Sequence, residues 1–167
     1  MPKKSAGVLL YRTSSRRLEV LLAHPGGPFW AQKDAGSWSI PKGEFRDEEH
    51  PFAAAKREFQ EETGFPVSGS FIELTPLRQR GGKTVYAWAV EGDFDPSKLT
   101  SNKFSIEWPP KSGRLQEFPE IDRVDWFAIP EAQGKILAGQ SGFLTELVAR
   151  IATVRSNQAP ADLHGPT

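Results

Sequence analysis

The stretch GEFRDEEHPFAAAKREFQEETGF, from Gly43 to Phe65, constrains this chain more than any other. Within it, Pro51 to Thr63 reads as a helix. Pro51 suits the first turn, where a missing N–H is no loss. His50 or an earlier residue falls near the cap, and Gly64 fits the C-terminal stop. Phe52, Ala55 and Phe59 recur at helical spacing, so one face looks into a core. Glu58, Glu61 and Glu62 lie three and four apart on an adjoining face. Like charges at that spacing cost a few tenths of a kcal/mol, and the helix C-terminus disfavours anions further. Two readings follow. Either the face is simply solvated, or the carboxylates hold a cation. Hard oxygen donors suit Mg²⁺ or Mn²⁺, and Mg²⁺ usually works beside a phosphate-bearing substrate. The second reading therefore points to phosphate or pyrophosphate hydrolysis.

The bulk numbers narrow the setting. At 167 residues the chain fits one domain with a real core. Lys+Arg and Asp+Glu both number 21, so the formal net charge is zero. That balance gives no reason to expect DNA, RNA or a membrane surface as the main partner. There is no cysteine, which excludes disulfides and thiolate metal sites. No apolar run approaches the roughly 18 residues needed to span a bilayer. These features place the protein in the cytoplasm, and the cation-holding reading of the acidic face would give it a small phosphate-bearing or polyphosphate partner. They leave its oligomeric state open.

Along the chain, Ala6–Tyr11 and Leu18–Ala23 read as a hairpin around the polar RTSSRR. A loop rich in Gly, Pro and Trp leads to a short strand near Trp38 and Ile40. After the helix, SGSFIELTPLRQR and KTVYAWAVEG read as strands around GGK. The second alternates, with Val85, Ala87 and Ala89 on one side and Tyr86, Trp88 and Val90 on the other. Asp93 to Arg114 is expected to be a long irregular loop. IDRVDWFAI reads as a further strand, followed by helices over Pro130–Ala138 and Gly142–Val154. The domain is expected to span 1–155, with 156–167 a flexible tail. The order of elements suggests a mixed α/β sheet covered by helices.

The 23 residues also carry a motif. Gly43, five residues, Glu49, seven residues, then Arg57-Glu58-Phe59-Gln60-Glu61-Glu62-Thr63-Gly64-Phe65 resembles the Nudix box of the Nudix hydrolases. All seven fixed positions match, which average composition would produce by chance about once in 10⁸ trials. That figure removes coincidence as an explanation. The only departures are Phe59 and Phe65, where the family usually has Ile, Leu or Val. The resemblance implies an α/β/α sandwich with a mixed sheet. It implies cleavage of a nucleoside diphosphate linked to another group, by water attack on phosphorus with Mg²⁺ or Mn²⁺. It makes Glu58, Glu61 and Glu62 metal-binding and catalytic carboxylates, one of them the general base. Arg57 would position a catalytic glutamate, Gly43 would offer its carbonyl to the metal, and Glu49 would be structural. A further metal ligand often precedes the last strand, where Glu120 or Glu117 stands here.

Substrate contacts are less defined. Lys42 either meets a phosphate as a point charge or faces water beside the Pro41–Gly43 turn. WSIPKG resembles the lead-in of diadenosine and diphosphoinositol polyphosphate hydrolases. Arg78, Arg80 and Lys83 form a basic group. Trp30, Trp88 and Trp108 are aromatic candidates for a base, Trp108 the foremost because its segment is irregular and cationic. A dinucleoside polyphosphate is the first expectation. Sanitising of nucleoside triphosphates or RNA 5′-end pyrophosphate removal is the alternative. A non-catalytic nucleotide sensor is disfavoured because every box glutamate is present.

Overall fold

Eleven residues, Lys4–Ser14, form the central strand β1, and the rest of the sheet is arranged by what its two edges accept. One edge pairs in parallel with β6, Thr84–Glu91, along its whole length from Lys4↔Thr84 to Tyr11↔Glu91. The other edge is shared. Its end, Tyr11–Ser14, pairs antiparallel with β2, Arg17–Pro25. Its beginning, Ser5–Gly7, pairs antiparallel with β3, Lys42–Glu44. The structure, a computed structural model, describes residues 3–163, with side chains described through Thr153. Of the tail expected over 156–167, the backbone through Leu163 continues the last helix, and residues 164–167 lie outside the described residues.

The remaining strands extend this centre. β4, Phe71–Glu73, and β5, Leu77–Arg78, both join β6, and β9, Ile121–Ala128, joins β2. The sheet order is β4-β6-β1-β2-β9, with β3 on β1 and β5 on β6. Period-2 alternation then sorts side chains into two cores. Leu9, Val85, Ala87 and Ala89 face one side, under α3 (Ser141–Leu163) and α2 (Ile129–Lys135). Ala6, Val8, Leu10, Trp88 and Val90 face the other, under α1 (Pro51–Thr63). The architecture is the α/β/α sandwich with a mixed sheet that the motif implied.

Several expectations are refined. The first hairpin turns on only Ser15 and Arg16, with φ of 51° and 65°, the hand that matches strand twist. The strand expected over SGSFIELTPLRQR is split, because Pro76 between β4 and β5 has no N–H for β6. Trp38 and Ser39 form isolated bridges to Ile136 and Ala23 rather than a named strand. The segment Asp93–Arg114 is not an irregular loop. It holds a 3₁₀ turn at Pro96–Lys98 and the strand β7, Lys103–Glu107, which pairs with β8, Leu115–Pro119. Phe104 and Ile106 alternate with exposed Lys103, Ser105 and Glu107, but two apolar-face positions are too short a signal beside WPPKSG.

Helix α1 behaves as its sequence requires. The His50 side chain accepts from the Phe52 N–H, and Gly64 adopts φ 80° with its N–H on the Gln60 carbonyl. Phe59 is fully buried between α1 and the sheet. Phe59→Ala should lower stability by about 3–5 kcal/mol, read as a lower urea midpoint with unchanged slope.

Candidate active site

β1 and β2 part company beyond the Tyr11↔Val20 pair, and residues 39–44 fill the gap. Ser39 exchanges backbone hydrogen bonds with Ala23 of β2 at 2.7 and 3.0 Å. Pro41 accepts from the Val8 N–H of β1 at 3.1 Å. The buried Gln140 side chain accepts from the Ile40 N–H at 3.1 Å and donates to the Ser39 hydroxyl at 3.0 Å. This wedge presents Lys42 and Gly43 to the C-terminal half of α1.

Each box glutamate has a different setting. Glu62 is 8% exposed and accepts from the Lys42 backbone N–H at 3.0 Å. Burial pushes its carboxyl from 4.5 up to about 8; the Lys42 N–H and charge oppose this, while Glu58 and Glu120 add repulsion. Glu58 is 9% exposed, and burial raises its carboxyl against the pull of Arg57, with Glu61 and Glu120 reinforcing the rise. Glu61 is half-buried and held by Arg57 at 3.1 Å. Gly43 leaves no room for a side chain unless the Glu58 carboxylate moves aside, because a Cβ there would fall within that carboxylate.

Arg57 is the counter-charge. It forms a bidentate pair with Glu49 at 2.7 and 2.9 Å, and reaches Glu58 at 2.8 Å. These partners raise the guanidinium pKa further and lower that of Glu49. A forked, always-charged donor suits three acids around one point better than lysine would.

Glu120 reaches this place through a segment that pattern reading missed. The Asn102 N–H donates to the Glu61 carbonyl at 3.1 Å, and its own carbonyl accepts from the Glu120 N–H at 2.8 Å. Glu120 thereby lines a cavity of about 240 Å³ with Lys42, Glu62, Ile40 and Trp30. Glu117 does not join it. It sits on β8 opposite Ser105, exposed, and outside the cavity lining. Lys42 is partly buried, and burial and then Lys83 hold its ammonium below the ordinary value against the pull of Glu62, Glu44 and Glu58. Lys83 pairs with Glu44 at 3.4 Å. Arg78 and Arg80 are exposed on and beside β5, outside the cavity lining. Trp108 sits at the β7–β8 turn, edge-on to Phe29 at 5.4 Å. Trp88 packs in the core against Phe52. Trp30, one of three tryptophans named as aromatic candidates, is the one that reaches the cavity.

Among the described residues no three His, Asp or Glu side chains form a ready metal cluster, because Arg57 draws Glu61 and one oxygen of Glu58 to itself. The donor set still fits a hard divalent cation. Glu62 and Glu120 line the cavity, Glu58 is close enough to repel both, and all three offer only oxygen. No helix among the described residues is long and apolar enough to cross a membrane.

Two outcomes follow. The unfolded chain ionises Glu62 near 4.5, while the folded protein holds its proton to about 8. Stability should therefore fall as pH rises between those values, by about 2–4 kcal/mol, when urea unfolding is followed in a chelator. Glu62→Gln should flatten that fall. Gly43→Ala should displace only the flexible end of Glu58. It should leave the melting temperature nearly unchanged while weakening Mn²⁺ affinity at least tenfold by calorimetry.

Comparison with known proteins agrees with the fold. The family model described as the NUDIX domain matches residues 1–147. The structure is similar to a C. elegans Ap4A hydrolase binary complex, at 22% identity and TM-score 0.60, covering 90% of this chain and 98% of that one. It is similar to the NUDIX domain of Shewanella oneidensis NrtR complexed with ADP ribose, at 17% identity and TM-score 0.61, covering 90% and 89%. A MutT structure from work on Aliivibrio salmonicida and Vibrio cholerae aligns at 14% identity and TM-score 0.51, covering 88% and 96%. No curated protein matches the sequence significantly. Identities this low speak for the fold alone. With the complete box seated on α1 beneath the residue 39–44 wedge, and the family model spanning most of its length, the chain belongs to the Nudix hydrolases, enzymes that act on pyrophosphate bonds.

Proposed function

We propose that residues 1–155 form a single Mg²⁺-dependent pyrophosphohydrolase domain, working in the cytoplasm on a nucleoside diphosphate linked to a second group. Dinucleoside polyphosphates are its first candidate substrates. One observation carries this reading. The buried carboxylate of Glu62, with Glu120 beside it and Glu58 near, borders the same cavity as the Lys42 ammonium and the Trp30 ring. Acids for a cation, a cation for phosphate and a ring for a base then stand around one space.

Glu58, Glu62 and Glu120 would hold Mg²⁺, with Glu61 and the Gly43 carbonyl beside them. When bound, the ion neutralises charge on phosphate oxygens and lowers the pKa of coordinated water. The chain's own residues do the rest. Arg57, fixed by Glu49, orients Glu58 and Glu61. The Lys42 N–H orients Glu62, and its ammonium attracts the phosphate chain. One of the box glutamates, ionised, would take the proton from an attacking water.

The test is a panel of dinucleoside polyphosphates, nucleotide sugars, nucleoside triphosphates and 5′-triphosphate RNA, with Mg²⁺ and chromatography of the products. The wild type should cleave one class at a pyrophosphate bond. Glu62→Gln should lower kcat by about 10²–10⁴-fold with little change in KM. Absent turnover across the panel, or equal turnover by the variant, would refute the reading.

A further inference from the structure

Among the described residues, five large hydrophobic side chains are exposed, and three of them lie in two segments that one ring contact joins. Phe29 is 59% exposed, Trp30 38% and Leu115 78%. Phe29 packs edge-on against Trp108, whose N–H donates to the Arg114 carbonyl beside Leu115. The corner is thus built from the loop after β2 and the tip of the β7–β8 hairpin. It is continuous with the active-site cavity. Trp30 lines that cavity with Lys42, Glu62 and Glu120, and the Gly26 N–H in the same loop donates to the Glu120 carbonyl at 2.8 Å.

Apolar area left in water forgoes the gain of burial. Core packing does not explain it, because Phe29, Trp30 and Trp108 belong to neither core cluster. Aromatic faces held in place at the rim of a cavity lined by a lysine and carboxylates suit a planar group attached to a polyphosphate. Stacking on rings is tolerant of base identity. We propose that Phe29 and Trp108, with Trp30 between them and the cavity, form the subsite for the group beyond the pyrophosphate, and that this group is a second nucleobase. The inference rests on the hydrolase reading for the position of the polyphosphate. It adds the residues that select for a two-nucleoside substrate.

The test measures binding, so turnover does not enter. A methylene-bridged diadenosine tetraphosphate is compared by calorimetry, with Mg²⁺, against the matching bridged compound lacking the second nucleoside. The wild type should prefer the two-nucleoside compound. Phe29→Ala and Trp108→Ala should each cut that preference about tenfold, the lower end for one stacked base. Both variants should melt like the wild type, since neither ring is in a core. A wild type with no preference, or a preference kept in both variants, overturns the subsite. So does a concentration-dependent dimer that Phe29→Ala dissociates with the preference intact, since the corner then serves self-association. Hydrolysis in the panel without a two-nucleoside preference defeats this inference alone. The preference without hydrolysis defeats only the enzyme reading.

Discussion

The shared edge of β1 is the constraint from which the site follows. A strand edge has one row of N–H and C=O groups, and here two antiparallel partners divide it. β2 takes one end through the tight Ser15–Arg16 turn and then diverges. The backbone of residues 39–44 satisfies the groups that divergence would orphan. Because those residues are anchored to β1, β2 and Gln140 at once, Lys42 and Gly43 stand in fixed positions over α1. The cavity is the space left on the open side of that junction.

Charge on α1 follows from the same placement. Beneath the wedge, Glu58 and Glu62 lose water, and desolvation is the largest influence on both. Arg57 compensates on one side by gathering Glu49, Glu58 and Glu61. On the other side the Lys42 N–H and ammonium counter the burial of Glu62, and Glu120 adds repulsion. An arrangement that holds carboxylates under electrostatic strain has a functional rather than a stabilising rationale. On the proposed reading a divalent cation would relieve it, and a polyphosphate would complete the neutralisation.

Local features were legible in the sequence. The helix ends, the Phe52/Ala55/Phe59 face and the two sides of β6 all depend on spacing within one element or one short segment. The box residues were legible because they fall within 23 consecutive positions. What could not be read depends on long-range backbone contacts. Gln140 touches Ile40 across 100 residues, and no pattern announces it. Glu120 was one of two candidates, and only the Asn102 backbone, hydrogen-bonded to Glu61 and Glu120, separates it from Glu117. His24 carried no visible partner, yet it is fully buried between Asp122 at 2.8 Å and the Lys33 carbonyl at 2.6 Å. That pair ties the loop bearing Phe29 and Trp30 to β2 and β9. The β7–β8 hairpin escaped notice because its apolar alternation is short and interrupted by consecutive prolines.

On the proposed reading Glu58, Glu62 and Glu120 would close around a divalent cation beside the Lys42 cavity. Anomalous diffraction from crystals soaked in Mn²⁺ locates such an ion. A peak is expected within coordination distance of Glu62 and Glu58, at the cavity edge that Glu120 borders. A peak at Glu117 or elsewhere on the surface, with the box carboxylates still bound only to Arg57 and the Lys42 N–H, would contradict it.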